Sequence, residues 1–147
     1  MFSNPTIRRL VRDDFSLWEP LWHEYLRFYR AGLSEEITRA TFDRLADGTS
    51  GLVGLVAQGE KELVGLVHLV LHPSTWSSAT YCYLEDLFVS PAARGSSVAK
   101  ALIAASYLEA DRRGATRTYW HTQQYNGPAR SLYDQVGHLT SFVVYER

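Results

Sequence analysis

The stretch from Tyr83 to Leu102 constrains the fold more than any other part of the chain. It begins as an apolar run holding two acids, Tyr83-Leu84-Glu85-Asp86-Leu87-Phe88-Val89, and turns at Ser90-Pro91. Small residues then lead into Val98-Ala99-Lys100-Ala101-Leu102. This pattern predicts a buried strand, a turn, and a loop that opens a helix. The first turn of a helix exposes unpartnered backbone N–H groups at the positive end of the helix dipole. Small residues let an anionic ligand approach those groups closely. The segment therefore reads as the seat of a phosphate-bearing cofactor, with two carboxylates just upstream.

The rest of the sequence limits what can surround that unit. A chain of 147 residues reads as one domain, residues 1–147, with enough length for one sizeable core. Hydrophobic residues at 46% and charged residues at 21% favour a globular fold over disorder. A net charge of −1 gives no case for non-specific nucleic-acid binding. No apolar run approaches the roughly 18 residues of a membrane span. Met1-Phe2-Ser3-Asn4-Pro5 lacks a signal-peptide pattern. Cys82 is the only cysteine, which excludes an internal disulfide and a cysteine zinc cluster. A cytoplasmic, reducing setting fits.

Periodicity orders the elements. Thr6 to Val11 reads as a strand. Asp13-Asp14 opens a helix on which Trp18, Leu21, Trp22, Tyr25, Leu26 and Tyr29 recur at helical spacing, with Gly32 as its stop. Ser34 caps a second helix, with Ile37, Phe42 and Leu45 facing inward. Leu52 to Ala57 and Leu63 to Leu71 form an antiparallel hairpin around Gln58-Gly59-Glu60-Lys61. Tyr81 to Val89 is a strand, and Ser97 to Arg113 a helix with Ala101, Leu102, Ala105 and Leu108 inward. Thr116 to Thr122 is a strand, Ala129 to Val136 a helix, and Leu139 to Tyr145 a last strand. The expected architecture is α/β (α+β), order β-α-α-β-β-β-α-β-α-β. It is a mixed, mostly antiparallel sheet of six to seven strands, flanked by about four helices.

Two motifs in this order resemble the GCN5-related N-acetyltransferase (GNAT) superfamily. Arg94-Gly95-Ser96-Ser97-Val98-Ala99 is similar to its cofactor loop, Gln/Arg-x-x-Gly-x-Gly/Ala, with Ser97 where the family usually has Gly. Asn126-Gly127-Pro128-Ala129-Arg130-Ser131-Leu132-Tyr133 before Gly137 is similar to its second signature. The stretch from Tyr83 to Val89 also resembles the diamine acetyltransferase branch. The resemblance implies that acetyl-CoA is the co-substrate, with no metal. Its diphosphate would lie on the loop from Arg94 through Gly95, Ser96, Ser97, Val98 and Ala99 to Lys100. Its pantetheine arm would pair with the backbone of Leu87, Phe88 and Val89. Asn126, Ala129 and Arg130 would complete the cofactor site. Ser97 either caps the helix with its hydroxyl, hinders the cofactor, or contacts phosphate itself.

The chemistry assigns further roles. A primary amine with a pKa near 10.4 is only roughly 0.04% neutral at pH 7, so a carboxylate that accepts the excess proton helps it attack a thioester. Glu85 is the first candidate base and Asp86 the second. As strand neighbours they point to opposite faces unless a bulge intervenes, so the sequence does not separate them. The resemblance places the general acid for the departing thiolate at Tyr133; the same spacing also suits a residue on the apolar face of a short helix. The aromatics of the first helix are either core or the lining of an acceptor cleft. His121 lies near the expected cofactor. Cys82 has no paired base and is a poor nucleophile.

These readings converge on an enzyme that acetylates a primary amine of a small polyamine-like or amino-acid-like molecule within a ternary complex. The alternatives are a protein or peptide lysine acetyltransferase and a non-catalytic acyl-CoA sensor. A homodimer is expected by analogy.

Overall fold

Why β-branched and apolar runs pair into a sheet here is visible in the computed structural model, which describes residues 5–95 and 97–147. Met1 to Asn4 and the loop position Ser96 lie outside the described residues. β1 (Thr6–Arg9) leads through one 3₁₀ turn into α1 (Phe15–Phe28) and α2 (Glu35–Asp47). β2 (Leu52–Gln58), β3 (Leu63–Pro73) and β4 (Thr80–Val89) follow, then α3 (Val98–Arg112), β5 (Arg117–Tyr119) and α4 (Gly127–Val136). The strands lie in the order β1-β2-β3-β4-β5. The first three pairings are antiparallel and the last, β4 with β5, is parallel. Among the described residues no helix is long and apolar enough to cross a membrane.

Local chemistry fixes the element ends. Ser34 accepts a hydrogen bond from the Ile37 N–H and starts α2; Gly48 closes it in the left-handed region at φ 67°. Asp14, buried at the entry to α1, accepts two bonds of 2.8 Å from the Arg8 guanidinium and a third from the Val11 N–H. That arrangement pins β1 to the first helix. The hairpin turn closes with Gly59 N–H donating to Glu62 O at 2.8 Å.

The sheet separates two cores. Trp18, Leu21, Trp22, Phe42 and Leu45 of α1 and α2 pack on Val56, Leu66 and Phe88. Leu102, Ile103 and Ala110 of α3 pack on Val53, Leu55, Val67, Leu69, Cys82 and Leu84. Gly65 is required where α3 crosses β3, since a Cβ there would lie 2.9 Å from Leu102 Cδ1.

The structure corrects several expectations. Among the described residues the sheet has five strands, not six to seven. β5 is three residues long instead of spanning 116–122. Leu139 to Tyr145 is not a strand: it has no pairing partner among the described residues, and Leu139, Phe142, Val143, Val144 and Tyr145 are all exposed. Ile37 is exposed on α2 and Thr38 is buried in its place. On α3, Ala101 and Leu108 face outward. Val98, Leu102, Ile103, Ser106, Glu109 and Ala110 face inward. The two polar groups on that inner face are satisfied, Ser106 by the Leu102 carbonyl and Glu109 by Arg112 and Arg113.

Candidate active site

A strand normally sends alternate side chains to opposite faces. In β4, Cys82 and Leu84 join the core under α3, whereas Phe88 joins the core under α1 and α2. Even-numbered residues thus change sides within one strand. The register shows why. His68 of β3 pairs with Asp86, but the next residue, Leu69, pairs with Leu84, leaving Glu85 as an extra residue. This β-bulge turns the strand by one position. Glu85 and Asp86, neighbours expected on opposite faces of a regular strand, both line one cavity on the α1/α2 side.

That cavity measures about 220 Å³ and is walled by Trp22 of α1, by Leu33 in the loop before α2, by Thr41, Arg44 and Leu45 of α2, and by Leu52, His68 and Val70 of the sheet. The two acids are held differently. Tyr25 donates its hydroxyl to Asp86 Oδ1 at 2.7 Å, and His68 Nδ1 lies 2.9 Å from Asp86 Oδ2. The Trp18 indole N–H, which can only donate, points at His68 Nε2 from 3.2 Å. His68 Nε2 is therefore an acceptor, so the proton sits on Nδ1 and is donated to Asp86. Both Asp86 oxygens are taken. Glu85 has no hydrogen bond or ion pair to a side chain among the described residues and reaches solvent. The surrounding protein mass raises its pKa above that of an ordinary carboxylate. Asp86 adds to the rise, while Arg44 opposes it. Asp86 and burial also push the Tyr25 phenol strongly upward, burial being the larger cause.

On the other side of the sheet, β4 and β5 pair only from Tyr81 to Tyr83. From Leu84 onward β4 continues without β5 beside it, so the backbone edge of Leu87, Phe88 and Val89 is free of a strand partner there. The loop that follows fits a close-approaching ligand. Gly95 sits at φ 82° with open space where a Cβ would lie. Ser97, with φ 67°, is left-handed, the conformation expected where glycine is usual, and its side chain makes no capping bond. The reading of Ser97 as a side-chain cap is thereby overturned. Val98 is buried and Ala99 half-buried at the helix start, whereas Lys100 is exposed. Arg94 turns back: its Nε donates to the Val89 carbonyl at 3.1 Å, and its guanidinium lies over the rings of Phe88 and Phe28.

The second motif caps α4. Asn126 Oδ1 accepts from the Ala129 N–H at 3.4 Å, and Arg130 donates to the Gln124 carbonyl. Tyr133 is half-buried, edge-on to Trp120 at 5.5 Å, and its hydroxyl makes no hydrogen bond among the described residues. Burial raises its pKa, with a further contribution from Tyr29, the residue that follows α1. His121 lies outside the cavity, exposed beside Tyr83. Cys82 is buried on the α3 side, and burial pushes its thiol up to about 11, which leaves no thiolate at neutral pH. Trp18 and Trp22 are core, as a helical stripe suggests, but Trp22 also forms one cavity wall. The sequence missed His68 and Arg44. His68 is one apolar-strand histidine among five in the chain, and its partners come from distant segments. No signal in the sequence marks Arg44.

The comparisons identify the family and the fold. The model of the acetyltransferase (GNAT) family matches residues 18–138. The D-amino-acid N-acetyltransferase HPA3 of Saccharomyces cerevisiae is 32% identical over 143 residues, covering 96% of this chain and 89% of that protein. The uncharacterized N-acetyltransferase YhfO of Bacillus subtilis is 30% identical over 141 residues, covering 95% and 94%. Among solved structures, AAC(6')-Iy in complex with a bisubstrate analogue superposes with a TM-score of 0.85 at 20% identity, covering 99% and 98%. The chain belongs to the GNAT acetyltransferase family and is an acetyl-CoA-dependent N-acetyltransferase.

Proposed function

We propose that the enzyme acetylates a primary amine of a small molecule, amino-acid-like or polyamine-like, by direct attack within a ternary complex. The observation that carries this reading is the bulge at Glu85, which puts an unpaired, partly desolvated carboxylate into a cavity of about 220 Å³. That volume is below the ~300–1,000 Å³ usual for drug-sized ligands and suits a small acceptor. The D-amino-acid and aminoglycoside enzymes among the similar proteins support a small-molecule acceptor.

In this reading acetyl-CoA supplies the thioester that is attacked. The N–H groups opening α3, from Ser97 to Lys100, hold its diphosphate with Gly95 and Ser96. The free backbone edge of Leu87, Phe88 and Val89 holds its arm, with Asn126, Ala129 and Arg130 alongside, and a fixed N–H there stabilises the developing oxyanion. Glu85 takes the proton of the acceptor amine. Asp86, locked by Tyr25 and His68, positions the site. Tyr133, held in its protonated form by burial, gives a proton to the departing sulfur.

A homodimer is part of the same proposal. Five apolar side chains of the tail after Gly137 are between 69% and 93% exposed, and a second copy is the occupant that would cover them.

The test is CoA-thiol release over a panel of amines, amino acids, aminoglycosides and peptides, with the variant Tyr133→Phe beside the wild type. The expected outcome is turnover of a small amine. Tyr133→Phe should keep acetyl-CoA binding but lose at least about tenfold in kcat. Full activity in that variant would refute the role of the phenol, and preference for peptides would move the acceptor class to protein lysines.

A further inference from the structure

The acceptor cavity holds charges of both signs that do not neutralise each other. Glu85 and Asp86 stand on its β4 wall, and Arg44 stands on its α2 wall with Thr41 and Leu45. Three other charges of α2 are consumed locally: Asp43 and Asp47 pair with Arg12, and Arg39 with Asp43. The Arg44 guanidinium has no hydrogen bond or ion pair among the described residues. Its field still reaches Glu85, whose carboxyl it draws down against the stronger upward pull of burial and Asp86. A third group lies on the same lining. Trp22 is 5% exposed, and its indole N–H is buried without a partner. A buried donor left unsatisfied carries a penalty that a ligand oxygen would remove.

We propose that the cavity selects a zwitterion: an α-amino-acid acceptor whose amine lies at Glu85 and whose carboxylate is bound by Arg44, with Trp22 Nε1 as a further donor. This rests on the reading of the cavity as the acceptor site. A guanidinium presents a planar fork that matches a carboxylate with two parallel N–H···O bonds, which makes Arg44 suited to this role. The same charge disfavours a diamine, because its second ammonium would meet Arg44. Of the two acceptor classes open from the sequence, the geometry thus favours the amino acid.

The experiment measures kcat/KM by thiol release for three acceptors sharing one side chain: the free amino acid, its carboxamide and its decarboxylated amine. Wild type, Arg44→Gln and Arg44→Lys are compared, with acetyl-CoA binding measured by calorimetry in each. The wild type should prefer the amino acid by at least about tenfold, since a site built for a polar group rejects analogues lacking it. Arg44→Gln should lower the amino-acid value by a similar factor, mainly through KM, and collapse the preference towards one. Arg44→Lys should restore part of it. Equal use of the three acceptors, or a preference unaltered in Arg44→Gln, would overturn the zwitterion and leave the transferase reading standing. No thiol release from any amine despite intact acetyl-CoA binding would sink both.

Discussion

Glu85 and Asp86 carry the same charge on adjacent residues, yet their surroundings divide the work between them. Asp86 has both oxygens occupied by Tyr25 and His68, while Glu85 faces the cavity unpaired. With its pKa raised, Glu85 binds its proton more tightly in the folded enzyme than in the unfolded chain. Two consequences share that sign. As the proposed base it must be ionised, so wild-type kcat/KM should bend downward as pH falls through the raised value. Glu85→Gln should sit about 10²-fold lower and lose the bend, which a pH–rate profile reads directly. The ionised carboxylate also costs stability at neutral pH, so Glu85→Gln should raise the melting temperature there. That gain should vanish below the ordinary glutamate range near pH 4.3, where both states are protonated. The acid pair itself was legible in the sequence. Its division of labour was not, because the groups that occupy Asp86 or orient its histidine partner, Tyr25 and Trp18, lie 61 and 50 residues from the residues they contact.

Among the elements, α3 begins under strain. Ser97 occupies a left-handed conformation that costs a non-glycine residue about 1–2 kcal/mol, and its hydroxyl does not cap the helix. Ser97→Gly relieves that cost but adds about 0.5–1 kcal/mol of chain entropy in the unfolded state. The net gain should therefore lie between zero and about 1.5 kcal/mol, a rise of at most a few degrees by calorimetry, with acetyl-CoA affinity undiminished. Weaker binding in that variant would mean that the hydroxyl itself contacts phosphate. The β2–β3 hairpin was legible because its two runs are continuously apolar and bracket a glycine turn. Helix faces were harder to read. α3 is rich in alanine, so its pattern did not separate the sides, and the buried Glu109 is intelligible only with Arg112 and Arg113 folded over it. The tail from Leu139 to Tyr145 has strand composition without a strand, because ladder bonds need a neighbour and β5 ends at Tyr119.

At the scale of the whole molecule, one sheet keeps two cores apart, with the proposed acceptor cavity on the α1/α2 side and the opening of α3 on the other. The tail belongs to neither core. If a second copy covers it, light scattering should give a dimeric mass for the full chain and a monomeric mass for a chain ending at His138. Equal masses would refute that role for the tail. The separation of the faces also depends on a count. β4 carries one residue more than its partner strand, and that surplus lets the acids and Phe88 share a side. Excising Glu85 would restore plain alternation, with Asp86 still opposite His68 and Leu84 still opposite Leu69. One lost codon would then empty the chamber of its free carboxylate and flatten the strand beneath it, while the locked one keeps its place.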